Sequence, residues 1–483
     1  MDESQDPYDG TDVRYTEALD ALAARDYNRR FVWTVCLVAA LGGLLFGYDW
    51  IVISGADLFY EKFFGLTTSS QRGWAKSCAI VGCLLGALLA GGLSDRFGRK
   101  RLLWFAALLF TASAIGTGLA GGFQAFVAWR IVGGVGIGLA SHLSPTYIAE
   151  LSPARIRGRL VAVNQLTIVV GILAAQLVNW LIAEPVPAGA TIAEIVASWN
   201  GQTGWRWMFA AEAVPAFFFL VGMLGVPESP RWLVKNGQRD RARRVLAKVG
   251  GDAYAARELD DIERTVAQDI LRVNFAELLA PRMVKILTLG VVLAVLQQWC
   301  GINVIFYYAK EVFAAAGYEV SDILLNIVIV GLANLVFTFV AIATVDHWGR
   351  RALMLAGWIG LTVIYLLFGG VYWLEIQGKP VVALVVAAIA CYACTLAPVT
   401  WVVLAEIFPN RIRGAAMSVA VFALWTGCFT LTYSFPLLNE WLQPARTFWM
   451  YALICLAGFV FVLVCLPETK GKTLEQIEQE LVD

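Results

Sequence analysis

Apolar runs of about 20 residues recur along this chain and are separated by short polar segments. A helix that crosses a lipid bilayer needs about 20 apolar residues, because each residue adds about 1.5 Å. Lipid offers no partners to backbone N–H and C=O groups, so each such run must be helical. The pattern predicts twelve spans, at residues 31–56, 74–94, 102–121, 123–148, 159–184, 205–226, 283–308, 322–345, 352–374, 380–405, 414–438 and 447–466.

Composition points to the same class, an all-α polytopic membrane protein. The 483 residues are 59% hydrophobic and 15% charged, whereas soluble proteins carry about 25% charged residues. Lys+Arg and Asp+Glu both number 37, so no charge excess points to a nucleic acid or another polyanion. Two histidines and the lack of a phosphate-binding loop lead us to expect no metal, no cofactor and no nucleotide. A soluble enzyme is excluded.

Basic residues predict the orientation and the domains. Loops after even-numbered spans carry Lys and Arg, whereas the loop between spans 3 and 4 has no charge. The positive-inside bias therefore places both termini on the cytoplasmic side of the membrane. The expected domains are an N-terminal tail (1–30), a six-helix bundle (31–226), a cytoplasmic helical linker (227–282), a second six-helix bundle (283–467) and a C-terminal tail (468–483).

Three motifs occur twice, in the same order and after corresponding spans. Asp95-Arg-Phe-Gly-Arg-Lys100 follows span 2, and Asp346-His-Trp-Gly-Arg-Arg351 follows span 8. The repeated pairs after the other spans are Glu150-Leu-Ser-Pro-Ala-Arg-Ile-Arg-Gly158 with Glu406-Ile-Phe-Pro-Asn-Arg-Ile-Arg-Gly414, and Pro227-Glu-Ser-Pro-Arg231 with Pro467-Glu-Thr-Lys-Gly471. Duplicated bundles of this kind enclose a central cavity and alternate its access by rocking.

The acids and arginines of these motifs are expected to pair across the two bundles when the cytoplasmic end is shut. Opening that end would break the pairs, so they would favour the outward-facing state. The alternative is that the basic residues only anchor the loops, which does not require the acids. The expected cytoplasmic gate residues are Asp95, Arg99, Glu150, Arg157, Glu228, Arg231, Asp346, Arg350, Glu406 and Arg413.

The motif set resembles the sugar porters of the major facilitator superfamily, from Gly43 to Gly471, and is most similar to bacterial D-xylose–proton symporter-like carriers. The resemblance implies a two-bundle carrier for a monosaccharide that uses protons as its coupling ion and lies in the bacterial inner (plasma) membrane. A passive sugar facilitator and a non-transporting sugar receptor are the alternatives. The C-terminal tail is too short to serve as the output surface of a receptor.

Three charged residues lie inside predicted spans: Asp49 in span 1, Arg130 in span 4 and Glu212 in span 6. An unpaired ion there costs at least about 2.5–3.5 kcal/mol, so each needs a partner or a function. All three lie roughly 10 Å below the outer surface by the helical rise, and therefore could meet. We expect a proton switch in which protonated Asp49 releases Arg130 to Glu212; a static ion pair is the alternative. The resemblance supports the switch, because facilitators usually lack the span 1 acid.

Span 7 contains three amides within seven residues, Gln297, Gln298 and Asn303. Amides both donate to and accept from sugar hydroxyls. On a straight helix Gln298 and Asn303 would be about 140° apart, so they converge only if the helix breaks near Gly301. The resemblance implies further sugar contacts at Gln165, Asn334, Trp401 and Trp425. It also implies that Tyr307 and Tyr308 belong to the outer gate. Proton-linked pentose carriers of the family have an amide just before the span 11 tryptophan, whereas this chain has Leu424 there.

Overall fold

The computed structural model describes residues 27–269, 280–409 and 413–470, and these ranges contain helices and no strands. Eleven helical stretches are long and apolar enough to cross a membrane. The last one, Gly414–Cys465, has 52 residues and breaks at Gln443, where φ is 66°, so it holds two passes. The twelve predicted spans are therefore confirmed.

The first half contains spans 1 to 6. Span 2 shows why its helix begins where it does, because Thr68 and Gln71 each bond the other's backbone N–H through their side chains. The helices are Arg29–Phe63 (span 1), Ser69–Phe97 (span 2), Arg99–Gly118 (span 3), Phe123–Leu151 (span 4), Ala154–Ile182 (span 5), the short Ile192–Ala197, and Asn200–Gly204, Trp205–Ala210 and Ala213–Gly225 (span 6).

The second half repeats this plan with two broken spans. Span 7 is divided at Gly301 and again at Tyr308, and span 10 is divided at Thr395. The helices are Pro281–Trp299, Ile302–Tyr307 and Ala309–Ala315 (span 7), Val320–Trp348 (span 8), Arg350–Trp373 (span 9), Lys379–Cys394 and Leu396–Ile407 (span 10), and Arg413–Cys465 (spans 11 and 12).

Two polar helices, Pro230–Lys235 and Arg239–Asp269, follow span 6 and pack against each other. The first is bonded to the end of span 2, because Trp232 Nε1 donates to the Asp95 carbonyl at 2.9 Å and Lys235 pairs with the Asp95 carboxylate at 2.8 Å. The linker is thus attached to the first half. Residues 270–279 of the predicted linker lie outside the described ranges.

Close helix contacts depend on glycine. A Cβ on Gly134 of span 4 would lie 1.9 Å from the Ala79 carbonyl of span 2, and one on Gly47 of span 1 would lie 1.9 Å from the Ile168 carbonyl of span 5. Such small residues let membrane helices pack backbone to backbone. The halves themselves meet where span 2 contacts span 11 and span 5 contacts span 8.

We call the membrane end that carries Arg99 and Arg350 the basic end, and the other the opposite end. The duplicated motifs and the linker helices all lie at the basic end. The halves are joined at the opposite end, where Ser69 of span 2 bonds to Glu440 and the hydroxyls of Ser70 and Tyr433 lie 2.9 Å apart. The molecule is therefore closed at its opposite end.

Candidate functional site

The two buried charges of spans 1 and 4 form an ion pair. Arg130 donates from Nη1 to the Asp49 carboxylate and from Nη2 to the Asp49 carbonyl, the second at 3.1 Å. Both side chains are almost fully buried, and the guanidinium lies 5.5 Å from the centre of the Phe209 ring. The convergence that the sequence predicted for Asp49 and Arg130 is therefore present.

The third predicted charge, Glu212, lies beside this pair. It occupies the junction between the two α-helical segments of span 6, is buried, and is close enough to interact electrostatically with both Asp49 and Arg130. Its Oε1 and the Asp49 Oδ2 have no hydrogen-bond partner among the described residues. Arg130 thus binds one of two neighbouring carboxylates and leaves the other unpaired.

Span 7 breaks at Gly301, the position at which its three amides can converge. Gly301 adopts φ 87°, a left-handed conformation that glycine tolerates better than other residues, and separates the helices before and after it. Across the break, Asn303 Nδ2 donates to Gln298 Oε1 at 2.6 Å. Gln298 donates in turn to Gln297, which donates to the Tyr392 hydroxyl. We call Gln297, Gln298 and Asn303 the amide chain.

An aromatic cluster lies between the two halves, next to the Asp49–Arg130 ion pair and the amide chain. Trp50 follows Asp49 in span 1, and its ring centre lies 5.4 Å from that of Tyr307 and 5.3 Å from that of Trp425. Phe46, one helical turn earlier, lies 6.1 Å from Trp425. The sequence analysis missed Trp50, because one tryptophan among 18 in an apolar chain carries no distinguishing pattern.

Five charged residues connect the halves at the opposite end, and we call them the five-charge cluster. Asp57 and Glu61 come from span 1, Lys76 from span 2, and Lys310 and Glu311 from span 7. Lys76 lies 2.5 Å from Asp57 and 3.3 Å from Glu311, and Lys310 pairs with Glu61. Sequence reasoning overlooked this cluster, although Lys76 lies inside a predicted apolar run and could have marked it.

The two tyrosines predicted for the outer gate lie between the aromatic cluster and the five-charge cluster. Tyr307 contacts Trp50 of the first half. Tyr308 donates to the Thr432 carbonyl of span 11, and the Lys76 ammonium lies 4.0 Å from the centre of its ring. Both tyrosines therefore take part in contacts that cross from one half to the other.

The motif residues at the basic end form two matching clusters. Arg99 Nε lies 3.1 Å from Glu150, and Arg350 Nε lies 3.3 Å from Glu406. Glu228 accepts from the backbone N–H of Arg99 at 2.9 Å, as Glu468 accepts from that of Arg350 at 3.0 Å. The repeated sequence motifs thus produce repeated carboxylate caps at the start of spans 3 and 9.

These pairs lie within each half. Arg99 binds Glu150 and Asp95 of its own half, and Arg350 binds Glu406 of its own half. The pairs expected between the halves belong to a state in which the cytoplasmic end is shut, and they stay a prediction.

The other predicted gate residues lie nearby or outside the described part. Arg157 is exposed near Glu258 of the linker, and Arg231 lies in the first turn of the first linker helix. The side chains of Asp346 and Arg413 lie outside the described part.

The structure places three further predicted sugar contacts on spans 5, 8 and 10. Gln165 of span 5 is exposed, and Trp401 of span 10 is 39% exposed. Asn334 of span 8 is 7% exposed and faces the interior. None of the three side chains is hydrogen-bonded to the amide chain among the described residues.

Comparison with known proteins decides the family. Residues 35–481 match the family described as sugar (and other) transporter. The chain belongs to this family, the sugar porters of the major facilitator superfamily. The relatives described next are named as symporters or a transport protein, which agrees with the expectation that the chain is not an enzyme.

Three relatives illustrate the similarity. The D-xylose-proton symporter of Escherichia coli (strain K12) is 39% identical, over 94% of this chain and 96% of the relative. The glucose transport protein of Synechocystis sp. is 41% identical, over 93% and 97%. The arabinose-proton symporter of Bacillus subtilis is 36% identical, over 94% and 96%.

Solved structures match along nearly the whole chain. The inward open conformation of the xylose transporter from E. coli aligns with a TM-score of 0.82 and 36% identity, over 93% of this chain and 100% of that one. The proton:xylose symporter bound to 6-bromo-6-deoxy-D-glucose aligns with a TM-score of 0.77 and 38% identity, over 94% and 100%. These matches confirm the predicted fold.

Proposed function

We propose that this protein is a secondary active transporter that moves a monosaccharide across a membrane together with protons. The observation that carries the proposal is the buried Asp49–Arg130 ion pair beside an unpaired Glu212, close to an amide chain suited to sugar hydroxyls. Relatives named as xylose- and arabinose-proton symporters support both the class of substrate and the coupling ion.

The proton switch works through the exchange of partners by Arg130. With Asp49 ionised, the guanidinium binds it, as observed. Protonation of Asp49 removes that charge, and Glu212 becomes the stronger partner because its carboxylate lies nearby and is unbonded at Oε1. The movement of Arg130 then changes how spans 1, 4 and 6 pack, and this links proton binding to the conformation of the first half.

Sugar binding is assigned to the amide chain and the residues around it. Amides that bond one another can exchange those bonds for sugar hydroxyls without leaving a buried polar group unsatisfied. Asn334 and Trp425, both nearly buried, complete the site on spans 8 and 11. Gln165 and Trp401 are exposed here and join the site in a state where spans 5 and 10 approach the amide chain.

Alternating access follows from relative movement of residues 31–226 and 283–467. We assign the basic end to the cytoplasm of the plasma membrane, with both termini on that side, by the positive-inside bias. The closed opposite end, held by Tyr307, Tyr308 and the five-charge cluster, then makes this an inward-facing state. The motif pairs at the basic end keep each half rigid while the halves move.

Uptake in proteoliposomes with an imposed pH gradient tests the proposal. Wild-type protein is expected to accumulate labelled monosaccharide against its gradient. Asp49→Asn, which imitates the protonated acid, is expected to lose this accumulation while sugar exchange across the membrane continues. Asp322→Asn, at an exposed position of span 8, is the matched control and retains both activities.

Other outcomes select the alternatives. Undiminished uphill accumulation by Asp49→Asn would overturn the proton switch. Wild-type uptake that ignores the gradient would identify a facilitator, and sugar binding without uptake would identify a receptor. Neither binding nor uptake of any pentose, hexose or inositol would overturn the sugar assignment itself.

A further inference from the structure

The side chain of Trp50 is one of the contacts of span 1 with the other half. Asp49 and Trp50 are consecutive, so their side chains leave the helix about 100° apart. Asp49 faces Arg130 of its own half, and Trp50 faces Tyr307 and Trp425 of the second half. One turn of span 1 therefore carries both the proton-binding acid and an aromatic ring that reaches across the interface.

The partners of Trp50 are also neighbours of the amide chain. Tyr307 lies on the same short helix, Ile302–Tyr307, as Asn303. Asn303 Nδ2 lies 3.8 Å from the sulfur of Cys428, one turn after Trp425 in span 11. A sugar that bonds to Asn303 would therefore be close to Tyr307, Trp425 and the indole of Trp50.

Exposure decides which aromatic ring the sugar meets. Trp425 is 4% exposed and Tyr307 is 3% exposed, because Trp50 and Phe46 cover them. Trp50 is only partly buried, so part of its side chain stays accessible although Phe46, Tyr307 and Trp425 pack around it. Aromatic faces pack well against the C–H faces of sugars. In this state Trp50 thus joins Trp425 in the aromatic wall of the site and is the more accessible of the two rings.

We infer that Trp50 contacts the transported sugar directly and restricts it to the size of a pentose. This inference rests on the proposed function and narrows its substrate class. The indole occupies space between spans 1, 7 and 11 beside the amide chain, so the added hydroxymethyl group of a hexose would compete with it for that space. A pentopyranose has the same ring and ring hydroxyls but lacks the hydroxymethyl group, and so fits beside the indole.

Matched pairs of sugars test the inference. D-Xylose and D-glucose differ by one hydroxymethyl group, as do L-arabinose and D-galactose. Uptake kinetics in proteoliposomes should show that the wild type prefers the pentose of a pair. Trp50→Ala should raise the KM for the pentose about 10-fold, and shift the ratio of kcat/KM values towards the hexose by about 10-fold or more, the scale on which apolar pockets discriminate added groups.

Two further variants keep the test decisive. Trp50→Phe retains a smaller ring and is expected to give an intermediate shift even if the alanine variant folds poorly. Trp441→Ala removes a tryptophan that is 78% exposed and should leave the ratio unchanged. A wild type that prefers the hexose, or a ratio that does not move in either Trp50 variant, would overturn the inference. A wild type that transports no sugar would instead overturn the proposed function.

Discussion

Asn303 donates a hydrogen bond to Gln298 across the break in span 7, although five residues on a continuous helix would place the two side chains on different faces. The left-handed backbone of Gly301 makes this contact possible. The two residues are therefore neighbours because of one glycine, and the amide chain depends on that glycine for its geometry.

Gly301→Ala is expected to weaken sugar binding and stability together. The new Cβ would lie 2.9 Å from Cγ of Tyr451, and a left-handed alanine costs roughly 1–2 kcal/mol. The KM for sugar should rise and the midpoint of thermal unfolding in detergent should fall. Gly427→Ala in span 11 is the matched control, because its Cβ would make only an ordinary contact at 3.5 Å. An unchanged KM in Gly301→Ala would show that sugar binding does not depend on the helix break.

Lys76→Met is expected to destabilise the closed opposite end. Lys76 and Asp57 are both fully buried, and removal of one partner from such a pair typically costs about 3–5 kcal/mol. Thermal unfolding in detergent measures the loss. The double variant Asp57→Asn/Lys76→Met should recover part of it, because the uncompensated charge is gone. Losses that simply add in the double variant would show that the pair is not coupled.

Glu468→Gln is expected to lower stability at neutral pH and to have little effect in acid. Burial alone would raise the pKa of Glu468, but backbone N–H groups of Lys470, Arg350, Arg351 and Thr469 donate to the carboxylate and hold its pKa below the usual value. A folded-state pKa below the unfolded one stabilises the fold above the ordinary glutamate pKa of about 4.3. That stabilisation is lost as the pH falls through the lower, folded-state pKa.

The difference in unfolding midpoint between wild type and Glu468→Gln should therefore be present at pH 7 and shrink below about pH 4. An anionic cap at a helix N-terminus contributes about 0.3–1 kcal/mol, which sets the expected size. Glu375→Gln, in the exposed turn after span 9, serves as the control. A difference that persists in acid would assign the effect to packing instead of charge.

Gly98→Ala is expected to disturb the cap of span 3. Gly98 has φ 93°, and a Cβ there would lie 2.3 Å from Glu228 Oε2, so the carboxylate would be displaced from the backbone N–H groups that it binds. We expect a loss of about 1–2 kcal/mol from the backbone strain. Gly92→Ala, two turns earlier with open space around it, should be neutral or stabilising in thermal unfolding. Equal effects of the two substitutions would contradict a stabilising role of Glu228 as the cap of span 3.

The sequence alone predicted the spans, the duplication, the Asp49–Arg130 contact and the break at Gly301. Apolar run length, repeated motifs and the cost of isolated buried charge are each visible along the chain. It did not predict that Arg99 binds Glu150 and Asp95 of its own half in this state, because a motif shows which charges can pair and not which lie nearest. It missed Trp50 and Lys76, whose contacts exist only once two separate bundles meet.

The matching carboxylate caps at Glu228 and Glu468 have a mechanical consequence. Because each cap ties the end of one span to the start of another within the same half, bending is suppressed at the basic end of both bundles. In the proposed proton switch, a displacement of Arg130 near the opposite end would then be transmitted by rigid helices to the far side of the membrane. Proton binding would thus open a passage at a distance from the acid, without a series of local deformations between the two places.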